Sequence, residues 1–283
     1  MQLANVRVGD AVRLAEVGDD GVLLLEGWGS LDDFLNDPAP LAVKQERLRQ
    51  AVERGQRQSG NTVAMLSPVL RPGKIICIGL NYRRHAEETG SAIPTVPVVF
   101  SKFSDSVAAH CDLVRIPRKT QEFDYEAELA IIIGARTEAI SESRALEAVL
   151  GYCNANDFSA RDLQHRTSQW LLGKTGPGMA PLGPFARTAD TIADPNALSI
   201  RTWRNGSLVQ DSNTSDMIFS CAEIIAYLSW HFPLQPGDVI LTGTPEGVIL
   251  GQPEGERRWL QSGDRLTVGI EGLGELENTV TAD

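Results

Sequence analysis

The sequence predicts a β-rich α+β protein, a large domain over residues 70–283 preceded by a small α/β domain over residues 1–69. Three observations predict it. Short apolar segments bounded by Gly, Pro or Asn-Gly recur along most of the chain, as strands do. Few stretches keep helical spacing for long. The texture changes near Leu70-Arg71-Pro72-Gly73, after which the apolar segments become denser.

The elements follow in order. Val6 to Leu25 reads as short strands around the turn Gly18-Asp19-Asp20-Gly21. Leu41 to Arg57 is polar, with helical spacing at Leu41, Val43, Leu48 and Val52, and Gln56 to Asn61 reads as a linker. In the larger unit, Lys74 to Gly79 and Val96 to Phe100 are short apolar strands. Phe123 to Gly134 ends in an apolar β-branched block and is expected to be one continuous strand. Ser141 to Leu150 and Cys221 to Trp230 are expected helices. Leu198 to Arg204 and Ser207 to Gln210 flank Asn205-Gly206, a strong hairpin signal. Asp238 to Thr242 is a strand entering the loop Gly243 to Val248.

Composition excludes several classes. The chain has 283 residues and a net charge of −11, from 26 basic and 37 acidic residues. Nucleic-acid binding needs clustered Lys and Arg, so an acidic chain argues against it. No apolar run is long enough to cross a membrane. Met1 to Arg7 lacks the charged-then-apolar order of a signal peptide. Cys77, Cys111, Cys153 and Cys221 are scattered, without zinc-ligand spacing, and read as reduced thiols of a cytoplasmic protein.

The chemistry is concentrated in a few places. On a continuous strand Asp124, Glu126 and Glu128 share one face, and no Lys or Arg lies within the run to pair with them. A solvated edge strand would explain them, and so would a bound cation. Asp157 opens a segment with Arg161 and Gln164 at helical spacing, so it is either an N-cap or a third carboxylate. With Glu126 and Glu128 it would complete an all-oxygen site, suited to Mg²⁺, Mn²⁺ or Ca²⁺ and not to zinc or copper. His85 and Glu88 are three apart, so on a helical turn the carboxylate can orient the imidazole as a general base; an ordinary surface pair has the same spacing. Lys174 sits at the mouth of a Gly- and Pro-rich loop, where it is either a solvated lysine or a partner for an oxyanion. Gly173-Lys174-Thr175 lacks the leading glycine of a P-loop, since Ser168 stands there. Thr242-Gly243-Thr244-Pro245 is a turn that can also bring N–H and hydroxyl donors to a ligand.

Taken together these segments resemble the fumarylacetoacetate hydrolase family. The matching runs are Ile78-Gly79-Leu80-Asn81-Tyr82 with His85, Asp124 to Leu129, Asn156 to Gln164, Lys174 with Pro181-Leu182-Gly183-Pro184, Asn205-Gly206, and Pro236 to Val248. Each is weak alone, and their shared order is specific. The resemblance implies a mixed β-sandwich roll, a homodimer and a bound Mg²⁺ or similar ion. It implies Glu126, Glu128 and Asp157 as metal ligands and His85 with Glu88 as the base. It also implies substrate contacts from Arg161, Gln164, Lys174 and Thr244, with Gly243 beside them. Many members carry an aromatic–Asp–Thr–aromatic run between the lysine and Pro-Leu-Gly-Pro. Here Thr175 to Ala180 replaces it, which alters the wall for the substrate's distal end.

The leading expectation is a metal-dependent hydrolase that cleaves a carbon–carbon bond of a 2,4-dioxo acid of the acylpyruvate type. His85, held by Glu88, would activate water, while Lys174 and Gln164 would stabilise the oxyanion. The alternative keeps the site and changes the outcome: isomerisation of a 2-hydroxydienoate, or decarboxylation of a 2-oxo diacid such as oxaloacetate. A non-catalytic metal-dependent binder is the expectation from a different class.

Overall fold

The computed structural model describes residues 1–18, 20–58 and 63–282, with the side chains of residues 56–58 outside the description. Among them a large mixed sheet dominates. Its central path runs Gly21–Leu24, Ala11–Gly18, Gln2–Val8, Ala180–Thr188, Val149–Asn156, Ala127–Ile133, Val239–Leu241, Ile75–Gly79 and Val98–Lys102. Most neighbours are antiparallel, and Val239–Leu241 runs parallel to Ile75–Gly79. The sheet continues across residue 70, because Gln2 pairs with Arg187 and Leu3 with Ala186. A second sheet is built from Ser207–Asn213, Ser199–Arg204, Arg265–Ile270, Glu275–Thr281 and Leu113–Arg115.

Side-chain alternation on the central strands feeds two cores. Ala127, Leu129, Ile131 and Ile133 pack on one face, with Ile200, Val268 and Ile270 of the second sheet and Ile224, Ile225 and Leu228 of the helix Cys221–His231. Ala130 and Ile132 point to the other face, under Leu31, Phe34, Leu35 and Leu48 of the helices Leu31–Asn36 and Leu41–Arg54. The sheet is covered on both sides, so its central strands are buried throughout and mostly apolar. Ser220 and Glu223 form a reciprocal capping box that starts the long helix. No helix among the described residues is long and apolar enough to cross a membrane.

The expected β-rich mixed α+β architecture is the observed one, and several local expectations need correction. The run Phe123 to Gly134 is not one strand: Phe123–Asp124 pairs with Ser159–Ala160 in a separate ladder, and the main-sheet strand begins at Ala127. The break at Tyr125 and Glu126 removes the alternation that would have put Asp124 beside the two glutamates. Ser141 to Leu150 is helical only over Glu142–Ala145 and a following 3₁₀ turn, and Val149 already belongs to a strand. Of the expected linker, Gln56–Gln58 is a strand paired with Gly21–Leu24, and residues 59–61 lie outside the described residues, as does Asp19 of the first turn. Asp157 caps no helix: it follows the strand Val149–Asn156, and the short helix Arg161–Gln164 starts at an Ala160 cap.

Candidate active site

Register brings the first two carboxylates together. Ala127 pairs with Asn156, so Glu126 and Asp157 lie side by side just beyond the ladder. The Asp157 N–H donates to the Glu126 carbonyl at 2.8 Å, and the Glu126 N–H donates to Asn156 Oδ1 at 2.9 Å. Glu128 lies one step inside the strand and accepts the Gly243 N–H at 2.6 Å. Gly243 has a φ of +100°, and a Cβ there would come within 2.8 Å of the Asn81 Cβ, so the turn needs glycine. Asn81 holds that turn by donating to the Thr242 carbonyl at 2.7 Å and accepting the Phe219 N–H at 2.8 Å.

Glu126, Glu128 and Asp157 are all buried, and one oxygen from each lies within 4.8 Å of the others. The charge around them is only partly met. Lys174 donates to Glu126 Oε2 at 2.6 Å and to Asp157 Oδ2 at 2.9 Å, and Lys102 donates to Asp157 Oδ1. Arg161 bridges Glu126, at 2.7 Å, and Asp124, at 2.9 Å. Burial opposes ionisation of Glu126, yet Arg161 and Lys174 outweigh it and hold its carboxyl well below the usual carboxylate range. Glu128 has no such partner. Burial, then the charges of Asp157 and Glu126, push its carboxyl well above the usual range. A cluster of hard oxygen donors with one unmet negative charge is chemically matched to a hard divalent cation.

His85 sits on the helix Arg83–Glu88, and its Nδ1 lies 2.9 Å from Glu88 Oε1. The second oxygen of Glu88 accepts the Gly247 N–H at 2.9 Å, which ties the helix to the loop after Gly243. A carboxylate beside Nδ1 favours the tautomer protonated there, so Nε2 is the free base. His85, Glu126, Glu128, Arg161, Gln164, Lys174 and Thr244 all line one cavity of about 100 Å³, with an apolar wall from Ile78, Phe100, Trp170 and Leu250. Trp170 can pack there because residue 79 is glycine: a Cβ would sit 2.5 Å from its ring. Lys174 Nζ lies 5.0 Å from the centre of the Phe100 ring, within cation–π range.

Seven of the singled-out residues therefore share a cavity, and Asp157 stands behind it on the same lysine. Gly243 does not line the cavity; its N–H is spent on Glu128. Asp124 belongs to the support: its oxygens accept from Arg161 and from the N–H groups of Ile249 and Leu250. Two supporting residues escaped the sequence reading. Lys102 closes the short ladder strand Val98–Lys102, and no motif marks it. Gln210 is buried in the hairpin, donates to Thr244 Oγ1 at 3.0 Å and accepts the Ala127 N–H at 3.1 Å. Its only sequence signal was a place in a strand beside Asn205-Gly206.

Comparison with known proteins identifies the family. Residues 74–281 match the family model for the fumarylacetoacetate hydrolase C-terminal domain. A Xenopus laevis protein named oxaloacetate tautomerase fahd2, mitochondrial, is 44% identical over 274 residues, covering 92% of this chain and 85% of that one. The solved fumarylacetoacetate hydrolase of Exiguobacterium antarcticum superposes with a TM-score of 0.89 at 32% identity, covering 100% of both chains. Maleylpyruvate hydrolase of Sphingobium sp. SYK-6, solved with manganese(II) and pyruvate, superposes with a TM-score of 0.82 at 27% identity, covering 100% of this chain and 99% of that one. The chain, with its carboxylate trio and His–Glu pair, belongs to the fumarylacetoacetate hydrolase family.

Proposed function

We propose that the protein is a cation-dependent tautomerase of a small 2-oxo dicarboxylic acid of the oxaloacetate type. One observation carries this reading: one cavity sets a histidine held by a carboxylate against Arg161, Lys174, Glu126 and Glu128, with Asp157 behind them on the same lysine. The name of the Xenopus laevis relative supports the same choice over acylpyruvate hydrolysis.

Glu126, Glu128 and Asp157 would hold the cation, which when bound supplies Lewis-acid polarisation of the substrate's 2-oxo oxygen. The protein's own groups account for the proton movement. C3 of an oxaloacetate-type acid lies between an oxo group and a carboxylate, so its protons are acidic. His85 Nε2 takes one, and Glu88 stabilises the imidazolium that results. The electrons left on C3 move into the C2–C3 bond, and negative charge develops on the C2 oxygen. Lys174 has two N–H groups on Glu126 and Asp157, which leaves the third for that oxygen. Arg161 Nη2 is buried without a hydrogen-bond acceptor, although it lies 2.9 Å from Asp124, so it has a donor to give a substrate carboxylate. The proton that His85 holds then passes to the C2 oxygen, which completes the enol and restores the neutral imidazole, and the reverse sequence returns the keto acid.

The test follows enol oxaloacetate by ultraviolet absorbance, with Mn²⁺ or with chelator, beside a His85→Ala variant. Cation-dependent loss of the enol without pyruvate release, absent in the variant, is the expected result. Pyruvate released from an acylpyruvate with no effect on the enol would overturn tautomerisation in favour of hydrolysis.

A further inference from the structure

Two lysines meet the same aspartate, and they stand in different surroundings. Lys174 lines the cavity and donates to Asp157 Oδ2. Lys102 does not line it: the side chains of Lys102 and Asp157 are each 0% exposed where they pair. Lys102 Nζ donates to Asp157 Oδ1 and, at 3.0 Å, to the Phe158 carbonyl. Phe100 and Lys102 are two apart on their strand, so both point inward, one to the cavity wall and one beneath it. An ammonium withdrawn from water is destabilising unless partners meet its charge, and here the partners are one carboxylate and the carbonyl beside it.

We propose that Lys102 is a positioning residue for cation binding: it fixes the Asp157 carboxylate so that Oδ2 stays beside the oxygens of Glu126 and Glu128. The backbone around Asp157 is already fixed, since its N–H donates to Glu126 and its carbonyl accepts from Ser159 Oγ at 2.9 Å. The free torsions are those of the side chain, and Lys102 holds them from the side away from the cavity. Groups that orient metal ligands from behind typically contribute tenfold to hundredfold in metal affinity. The role rests on the reading that Glu126, Glu128 and Asp157 hold the cation.

Calorimetric titration of the substrate-free protein with Mn²⁺ tests it, on wild type, Lys102→Met, Lys102→Gln and Lys174→Met. Lys102→Met is expected to weaken Mn²⁺ binding about tenfold to hundredfold. Lys102→Gln, which keeps a donor without the charge, falls between. Lys174→Met does not weaken it, because that change removes a competitor for Glu126 Oε2 and Asp157 Oδ2. Turnover of Lys102→Met returns at high Mn²⁺, and that of Lys174→Met does not. A merely structural lysine would lower the melting temperature and leave the Mn²⁺ affinity alone. Wild-type affinity in Lys102→Met overturns the proposal, and where that variant does not fold, wild-type affinity in Lys102→Gln does so. Absence of Mn²⁺ binding by wild type would bring down the cation reading and this role together, whereas binding unchanged in the Lys102 variants brings down this role alone.

Discussion

Glu88 shows how one side chain can serve two tasks. One oxygen meets His85 Nδ1 and the other accepts the Gly247 N–H. Glu88→Gln keeps the size and one acceptor and removes the charge that would stabilise the imidazolium formed in the proposed proton transfer. The expected effect is on chemistry: kcat falls about a hundredfold, at the lower end of what general acid–base catalysis contributes. The melting temperature should change by only a few degrees. A steady-state assay beside a thermal melt checks this, and a variant that melts far lower with near-normal kcat would place Glu88 in the latch alone. The same scale shows what a sequence can and cannot reveal. His85 and Glu88 were legible because a helical turn makes three-apart residues neighbours. Glu126 and Glu128 were legible from their spacing in an apolar run. Lys102 was not, because its partner Asp157 is fifty-five positions away and only the folded sheet brings them together. Asp124 was misplaced because alternation holds only while the strand is unbroken, and this one breaks at Tyr125.

At the scale of elements, hairpins and central strands were readable, and their partners were not. The Asn205-Gly206 turn and both its strands stand where local signals put them, since turn chemistry needs no distant partner. The short ladder between Phe123–Asp124 and Ser159–Ala160 has no local signature. The turn at His110 and Cys111 is another such long-range junction. His110 Nδ1 accepts the Glu277 N–H at 3.1 Å, and the Cys111 N–H donates to the Glu277 carbonyl at 2.7 Å, clamping the turn to the strand Glu275–Thr281. An Nδ1 that accepts must be unprotonated. Burial holds the His110 pKa below its ordinary 6.5, with Glu277 opposing. The folded state therefore takes up the proton less readily than the unfolded chain. The clamp's contribution is full above pH 6.5 and is lost as pH falls through the lowered folded value. Melting temperature should decline with acidification in that window, and His110→Ala should start about 1 kcal/mol less stable and show a shallower decline. His165 is lowered in the same direction, by burial and then by Arg161 and Lys174, so the slope is reduced and not abolished. An unchanged slope in His110→Ala would refute the clamp.

For the whole molecule the question is how a chain of net charge −11 tolerates four buried carboxylates in one place. Lys102, Arg161 and Lys174 meet Asp124, Glu126 and Asp157, which leaves Glu128 with only the Gly243 N–H and the nearby lysine. Function and stability then pull against each other at this one residue. In the cation-free protein Glu128 is a burden, so Glu128→Gln, which keeps the shape and an acceptor for Gly243, should raise the melting temperature. A cation held by the trio binds the folded state alone, and at a hundred times its Kd contributes about 2.7 kcal/mol. For a chain of this size that is a rise of roughly 4–5 °C. Wild type should gain it from Mn²⁺ and lose it to chelator, while Glu128→Gln should begin higher and gain little. The two melting curves are thus expected to converge or cross as Mn²⁺ is added. A Glu128→Gln protein that starts lower than wild type and still responds fully to Mn²⁺ would show that the unmet charge lies elsewhere, and that Glu128 is not a ligand.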